Sequence, residues 1–264
     1  MARRSLLPPA PPNFDDAVSD SGGESSPRRV TVVLPTYDEA ENLPAIAPAI
    51  LTHGYRLLII DDNSPDGTGA IADRLAEESE RTEVLHREEK TGLGPAYAAG
   101  FDHALERGAE IVIEMDADFS HDPVDLPRLV AAIDAGADVA IGSRYVAGGG
   151  TPDWPAIRQL ISKGGNLYAR MMLAIPIRDA TAGFRAFRAD ALRSLPYREA
   201  EASGYGFQVE MAWRAHQAGM SIEEVPITFK DRTRGISKMG TSIVIEAMRL
   251  VTVWGVGRIT RRTS

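Results

Sequence analysis

Short apolar segments alternate with helix-like segments over residues 28–145, and this alternation restricts the fold more than any other feature of the chain. Apolar strands with few polar interruptions are buried on both faces of a sheet. Strands that alternate with helices form a mainly parallel sheet covered by helices on both sides. We therefore predict an α/β fold of this kind. The predicted strands are residues 28–36, 55–61, 82–87, 110–117 and 137–145.

The following segment is less regular but still predicts ordered structure. Residues 146–155 are rich in glycine and proline and predict a loop. A helix is expected at about 157–173, and apolar residues at helical spacing predict another over 204–219. One more strand, 221–229, precedes a basic loop over 229–240. We place one domain at 28–240.

The N-terminal residues 1–27 are rich in Pro, Ser, Gly and Asp, which predicts a disordered tail. Prolines interrupt the start before any apolar run typical of a signal peptide. The net charge of −8 argues against a general nucleic-acid binder, so no nucleic-acid partner is expected. The absence of cysteine fits a reducing compartment.

Residues 241–264 predict an amphipathic helix with a basic end. Its apolar run, 242–259, is interrupted by Glu246 and Arg249, and is too short and too charged for a membrane span. Residues 228–264 hold eight Lys and Arg against two Asp and Glu. An anionic membrane surface, a membrane protein partner or the core of the chain itself could cover the apolar side.

Acidic residues follow the apolar run 111–113, ending in the pair Asp116 and Asp118. Ligands of parallel α/β sheets bind beyond the carboxyl ends of the strands. Two carboxylates facing the same way on an extended chain suit Mg²⁺ or Mn²⁺. A solvated strand end is the alternative. Asp122 is predicted to cap the next helix. His121 is predicted to be an exposed loop histidine, with a metal ligand as the weaker alternative.

Two common phosphate-binding loops are absent. Tyr97 stands where G-x-G-x-x-G requires a glycine, and G-x-x-x-x-G-K-[ST] does not occur. A nucleotide would then be held by strand ends, where Asp62 could contact a base or ribose. Departure of a diphosphate also requires positive charge. The cations considered for this role are Arg144, Arg158, Arg185, Arg232, Arg234 and Lys238.

Eight motifs in order give the chain a family resemblance. They are VVLPTYDEAENL, IIDDNSPDGT, KTGLGPAY, MDADFSHDP, GSRY, DATAGFRAFR, GYGFQVEM and VPITFKDRTRGISK. With these the chain resembles the inverting glycosyltransferases of the GT-A fold, and most closely the dolichol- or polyprenol-phosphate mannosyltransferases. The resemblance runs from about Arg29 to the final helix.

The resemblance implies GDP-mannose as donor, a polyprenyl monophosphate as acceptor, and Mg²⁺ or Mn²⁺ as cofactor. It implies metal contacts from Asp116, Asp118 and Ser120, the last at a position where relatives carry a further polar residue on the metal side. Arg158 would bind the lipid phosphate. The implied donor contacts are Pro35, Tyr37, Glu39, Ile60, Asp62, Asp116, Ala117, Asp118, Arg144, Arg232 and Lys238. The implied catalytic set is Asp116, Asp118, Arg144, Arg232 and Lys238.

Some relatives carry spanning helices after the catalytic domain, and this chain has none there. It resembles the soluble catalytic-subunit type, which implies a peripheral enzyme on the cytoplasmic face of the membrane. Its own helix or a separate integral partner would anchor it. Four alternatives stay open: UDP-glucose as donor, a soluble acceptor, a nucleotide-sugar sensor without activity, and a sugar nucleotidyltransferase.

Overall fold

A computed structural model describes residues 29–202, 204–231 and 241–262. The predicted tail, and Arg232, Arg234 and Lys238 of the basic loop, lie outside these residues. Within them are seven strands: β1 Val30–Thr36, β2 Arg56–Asp61, β3 Thr82–His86, β4 Ile111–Glu114, β5 Val139–Ser143, β6 Arg185–Arg188 and β7 Ile222–Pro226. They form one sheet in the order β3-β2-β1-β4-β6-β5-β7.

The sheet is mainly parallel, as predicted. β1 lies between β2 and β4 and is parallel to both, with Val33 opposite Leu58 on one side and Glu114 on the other. β3 continues the parallel part beside β2, and β7 lies parallel to β5. Since the parallel strands end at one edge of the sheet, the segments that follow β1, β2, β4 and β5 all lie at that edge.

β6 is the strand that the sequence did not predict. It is only four residues long, RAFR, and pairs antiparallel with both β4 and β5. Two arginines in four residues conceal the strand pattern. Arg185 is nevertheless fully buried, and its guanidinium donates to the carbonyl oxygens of Ala180, Ala182 and Gln208 at 2.7–2.8 Å. This cation therefore supports the backbone and is not available to a diphosphate.

Helices cover both faces of the sheet. Alternating side chains of β1 divide between two apolar cores, with Val32 and Leu34 in one and Val33 in the other. The helices are α1 Leu43–Leu51, α2 Thr68–Glu78, α3 Leu93–Glu106, α4 Leu126–Asp134, α5 Ala156–Leu173, α6 Ala189–Ser194, α7 Tyr205–Gln217 and α8 Thr241–Arg262. The first core is covered by α1, α2 and α4, the second by α3, α5, α6, α7 and α8.

The final helix packs against α5 and α7 along one side. Trp254 is buried and stacks on Trp213 with ring centroids 5.4 Å apart. Gly255 permits the close approach to α5, because a Cβ there would lie 2.9 Å from the carbonyl oxygen of Met172. Of the described helices, none combines the length and apolar character that a membrane crossing requires. α8 is thus partly a core helix, which was one of the alternatives.

Candidate active site

The loops after β1 and β2 gather the residues expected at the nucleotide. Pro35 lies opposite Ile60 in the ladder, and the Asp62 amide donates to the carbonyl oxygen of Thr36 at 3.1 Å. The Asp62 carboxylate is buried and forms an ion pair with Arg87 at 2.6 Å. Burial raises the pKa of Asp62, although the Arg87 guanidinium acts in the opposite direction. Asp62 is thus held by a cation that the sequence did not single out.

Tyr37 and Glu39 lie on the loop that leaves β1. The Lys90 ammonium lies 3.7 Å from the ring centroid of Tyr37, a cation–π contact. The Glu39 amide donates to Thr68 Oγ1 at 2.9 Å, and its carboxylate accepts from the side chain of Asn42 at 2.8 Å. The structure therefore brings the expected donor residues of β1 and β2 to one sheet edge, and adds Lys90 to them.

The metal loop, as we call residues 115–121, follows β4. β4 ends at Glu114, so the prediction of an extended chain through Ala117 was wrong. Phe119 takes a left-handed backbone conformation with φ of 61°, and the Ser120 amide donates to Asp118 Oδ1 at 3.0 Å. The side chain of Asp116 is 35% exposed, whereas Asp118 is buried. A turn, rather than strand alternation, orients the two carboxylates.

The metal loop has the donor atoms that a hard divalent cation prefers. Asp116 and Asp118 supply carboxylate oxygens, and Ser120 Oγ is buried without a hydrogen-bond partner among the described residues. Within the same residues, no group of three or more His, Cys, Asp and Glu forms a metal site. Mg²⁺ is commonly held by one or two carboxylates together with substrate phosphates. The loop fits a cation that is shared with a diphosphate.

Arg144 follows β5 and is fixed by a buried acid. Its Nε and Nη2 donate to the two carboxylate oxygens of Asp179 at 2.7 and 2.5 Å, and Nη2 also donates to Thr181 Oγ1 at 2.7 Å. Both members of the ion pair are buried. Two-pronged pairing sets the plane of the guanidinium. Arg144 is therefore a fixed cation in the wall of the pocket described below.

Arg158 on α5 lies on an aromatic platform. Its guanidinium is 3.9 Å from the ring centroid of Trp154 and donates to Asp231 Oδ1 at 2.7 Å. Phe229 packs edge-on against the same indole at 5.3 Å. Asp231 immediately precedes the residues that the structure does not describe. The cation expected at a lipid phosphate is thus partnered by a carboxylate.

A pocket of about 210 Å³ lies beside the metal loop, Arg144 and Arg158. Asp116, Ser120, Arg144 and Arg158 line its polar part. The remainder is largely apolar and lies between α5 and α8. That apolar part is lined by Ile161, Ala169, Val209, Val244, Ala247, Met248 and Val251. The pocket therefore offers cations and carboxylates at one end and a hydrocarbon environment at the other.

His121 is the clearest departure from the predicted site. It was expected to be exposed, but only 2% of it is accessible, and its ring stacks on Phe184 at 5.0 Å. Burial, together with the nearby Arg144, lowers its pKa to about 4, while Asp118 acts in the opposite direction. The imidazole is therefore neutral. Asp122, in contrast, caps the next turn as predicted, accepting from the Val124 amide at 3.2 Å.

Sequence reasoning missed several residues of the site. Asp179 lies in the motif DATAGFRAFR, which also contains Arg185, one of the cations considered above. An acid in that motif could have been considered as a partner for one of the predicted cations. Lys90 and Asp231 also lie in motifs of the resemblance, KTGLGPAY and VPITFKDRTRGISK, but their contacts with Tyr37 and Arg158 join distant segments and could not be predicted from those motifs. Trp154 likewise acquires its role from Arg158 and Phe229. Arg232 and Lys238 belong to the part of the basic loop that the structure does not describe, so their predicted roles stay predictions.

Comparison with known proteins places the chain in a family. The family model described as Glycosyl transferase family 2 matches residues 31–195. The polyprenol monophosphomannose synthase of Mycolicibacterium smegmatis is 49% identical over 238 residues, covering 89% of this chain and 90% of that protein. The undecaprenyl-phosphate mannosyltransferase of Micrococcus luteus is 49% identical over 229 residues, covering 86% and 94%.

Solved structures confirm the fold at low sequence identity. The glucosyl-3-phosphoglycerate synthase of Mycobacterium tuberculosis with Mg²⁺ and UDP superposes with a TM-score of 0.63 at 19% identity, covering 88% of this chain and 79% of that one. Its complex with Mn²⁺, UDP and glucosyl-3-phosphoglycerate also gives 0.63 at 19% identity, covering 91% and 86%. The predicted GT-A architecture is confirmed. The chain belongs to glycosyl transferase family 2, and within it to the group of the polyprenol-phosphate mannosyltransferases.

Proposed function

We propose that the protein transfers mannose from GDP-mannose to a polyprenyl monophosphate with inversion, giving polyprenyl-phosphate β-mannose and GDP. The names of the two relatives support the sugar and the acceptor class. The observation that carries the proposal is the two-part pocket. A polyprenyl phosphate has an anionic head and a hydrocarbon chain, and the pocket has cations beside the metal loop and apolar walls between α5 and α8.

The acceptor phosphate needs little activation. The second pKa of a phosphate monoester is near 6, so at pH 7 most of it is dianionic. A dianionic oxygen attacks the anomeric carbon without a strong general base. Arg158 holds this phosphate from the Trp154 platform, and the attack proceeds opposite the departing GDP. One displacement of this geometry inverts the configuration at the anomeric carbon.

The leaving GDP gains negative charge as the bond to mannose breaks. Arg144 provides a positive charge whose orientation Asp179 has already fixed, so little reorganisation is needed during the reaction. Arg232 and Lys238 would add to it. Mg²⁺ or Mn²⁺, held by Asp116, Asp118 and Ser120, would neutralise the diphosphate. The residues after β1 and β2, including Tyr37 and Asp62, would hold the nucleoside.

We further propose that the enzyme binds the cytoplasmic face of a membrane peripherally. Two neighbouring helices expose large apolar side chains beside the pocket. They are Ile157, Leu160, Ile161, Leu167 and Met171 on α5, and Val244, Ile245, Met248, Val253 and Val256 on α8. Arg249 and Arg258 on α8 add positive charge, which favours an anionic leaflet. An integral membrane protein is the alternative partner for this surface.

Donor choice is tested by isothermal titration of the full chain with GDP-mannose and with UDP-glucose, each with Mg²⁺ and with EDTA. We expect tighter binding of GDP-mannose, and weaker binding when the metal is removed. Proton NMR of the lipid product then reports the anomeric configuration. Preferential binding of UDP-glucose would contradict GDP-mannose as the donor and indicate a glucosyltransferase instead. An α-linked product would contradict inversion.

A further inference from the structure

We propose that His121 is a positioning residue of the metal loop: its imidazole holds the main chain of Asp116, and thereby the Asp116 carboxylate, where a divalent cation would bind. The inference deepens the proposed function and depends on it only for the identity of the metal and the nucleotide. The contact itself involves residues of this chain alone.

The Asp116 amide lies where the sheet no longer provides an acceptor. The ladder of β4 ends at Glu114, which is opposite Val33 in β1 and Arg185 in β6. The next amide, of Met115, still donates to the Val33 carbonyl oxygen at 3.2 Å. The ladder therefore leaves the Asp116 amide to be satisfied by another group. His121 Nδ1 accepts the Asp116 amide hydrogen, with the two nitrogens 3.2 Å apart.

The imidazole is clamped from two sides, so the position of its acceptor atom is fixed. Phe184, which immediately precedes β6, stacks on it with an interplanar angle of 15°. Phe229 meets it edge-on, with centroids 5.5 Å apart. Phe229 is itself held by a backbone bridge to the loop after β5, because its amide donates to the Gly150 carbonyl oxygen at 2.9 Å. Because Phe184 and Phe229 fix the ring, its Nδ1 atom can in turn fix the position of the Asp116 main chain in the metal loop.

The hydrogen bond specifies the tautomer. An Nδ1 that accepts must carry no proton, so the hydrogen of the neutral ring is on Nε2. The approach of Nδ1 to Asp116 Oδ2 at 3.8 Å is consequently not an ion pair. Nδ1 is also engaged by the amide, which separates His121 from the side chains offered to a cation.

A second contact supports the carboxylate from the other end. The Tyr97 hydroxyl donates to Asp116 Oδ1 at 3.4 Å, and Tyr97 is fully buried. Asp116 is therefore held through its amide by His121 and through its carboxylate by Tyr97. Groups that orient a metal ligand without touching the metal commonly change affinity ten- to a hundredfold when they are removed.

Two substitutions distinguish the role of the Nδ1 acceptor from the packing role of the aromatic ring. His121→Phe keeps an aromatic ring between Phe184 and Phe229 but removes the acceptor. His121→Asn removes the ring but places an amide oxygen the same number of bonds from Cα as Nδ1. His53→Asn, far from the site beside Tyr55 at the end of α1, is the matched control.

The first readout is hydrogen exchange at the Asp116 amide, followed by NMR in the full chain without metal or nucleotide. We expect slow exchange in the wild type, in His121→Asn and in the control, and at least tenfold faster exchange in His121→Phe. Equal exchange in His121→Phe and the wild type would overturn the contact. This measurement does not depend on whether the chain uses GDP-mannose.

The second readout is Mn²⁺ affinity in the presence of GDP, measured from free Mn²⁺ by electron paramagnetic resonance, with thermal unfolding recorded alongside. We expect the dissociation constant to rise about tenfold in His121→Phe and to stay within about twofold in His121→Asn. Equal weakening in both variants would overturn the positioning role in favour of packing. An unchanged constant in His121→Phe would overturn it as well.

Discussion

Asp116 and Asp118 are two residues apart but lie in different environments. Asp116 faces the pocket, while Asp118 is buried and accepts the Ser120 amide within the turn. The sequence predicted that both are metal-side residues, because carboxylates at the end of a buried strand need a positive partner. It could not predict the turn, which depends on the left-handed conformation of Phe119.

Asp118→Ala should lower turnover by about 10²-fold or more, on the scale of one lost transition-state contact of about 3 kcal/mol. The measurement is transfer of labelled mannose at saturating donor and metal. Asp122→Asn is the control, since asparagine also caps a helical turn. Near-normal turnover in Asp118→Ala would contradict the metal role.

Glu114 gives a pH prediction, because burial raises its pKa to about 8 although Arg185 opposes the shift. Folded Glu114 stays protonated below that pH, whereas the unfolded chain ionises near its ordinary value of 4.5. The unfolding free energy should therefore fall as the pH rises from about 4.5 to about 8. Glu114→Gln should reduce this dependence.

Asp73 and Asp61 raise the pKa of His86, so His86 contributes a slope of the same sign, and the Glu114 contribution is the difference in slope between the wild type and Glu114→Gln over pH 7–8. Denaturant unfolding at several pH values in this range measures the effect. Glu223→Gln, on the exposed side of β7, is the control. Equal slopes in the wild type and Glu114→Gln would mean that Glu114 is not the group responsible.

The segment from Phe229 to Asp231, which follows β7, connects the metal loop with α5. The Lys230 amide donates to the Ser120 carbonyl oxygen at 3.3 Å, on the metal loop. Asp231 pairs with Arg158 on α5. The loop at the end of β7 thus contacts both the metal side and the acceptor side of the pocket.

Asp231→Asn should lower the KM for polyprenyl phosphate up to about fivefold. The carboxylate competes with the acceptor phosphate for Arg158, and exposed ion pairs contribute about 0–1 kcal/mol. Initial rates at varied acceptor measure the change. Asp122→Asn, which removes the neighbouring pair with Lys230, should leave this KM unchanged. A higher KM in Asp231→Asn would show that Asp231 assists the acceptor instead.

α8 combines a buried side with an exposed one, and this division gives a prediction for membrane binding. Ile245 is 68% exposed and Val256 is 50% exposed, whereas Val251 and Trp254 are buried. Ile245→Glu with Val256→Glu should therefore leave thermal stability nearly unchanged. Co-sedimentation with vesicles containing anionic lipid should fall at least severalfold. Unchanged vesicle binding would exclude this face of α8 from the membrane contact.

Strands were predicted correctly where the apolar pattern was long, as in β1 and β2. They were missed where contacts with distant residues decide the structure. The pattern of β1 and β2 was enough to predict parallel strands. β6 was missed because its two arginines conceal the strand pattern, and the burial of Arg185 depends on the carbonyl oxygens of Ala180 and Ala182 nearby and of Gln208 on α7. The covering of α8 was left open for the same reason, since its fit against α5 depends on Gly255 and Met172.

At the scale of the whole molecule, the fold class predicted from the sequence is confirmed, and the predicted site residues that the structure describes lie at or near one sheet edge. The alternation of elements is local information, and the position of ligands beyond strand ends follows from topology. The pocket itself was not predictable. It requires α5, β5, the metal loop, α7 and α8 to meet, and no local pattern encodes these distances.

The position of the pocket in the whole molecule suits a lipid acceptor. Its polar part is at the carboxyl ends of the strands, and its apolar part is between two helices with exposed apolar side chains. An acceptor could enter from a bilayer without its prenyl chain crossing water. A soluble acceptor would have no need for the apolar part.

The most direct measurement of this account is transfer of label into lipid. Purified protein, Mg²⁺, a short polyprenyl phosphate and radiolabelled GDP-mannose are mixed, and the organic phase is counted, with UDP-glucose in parallel. We predict label in the lipid from GDP-mannose, none from UDP-glucose, and loss of transfer with EDTA. Label that enters only from UDP-glucose, or only into a water-soluble acceptor, would contradict the proposed function.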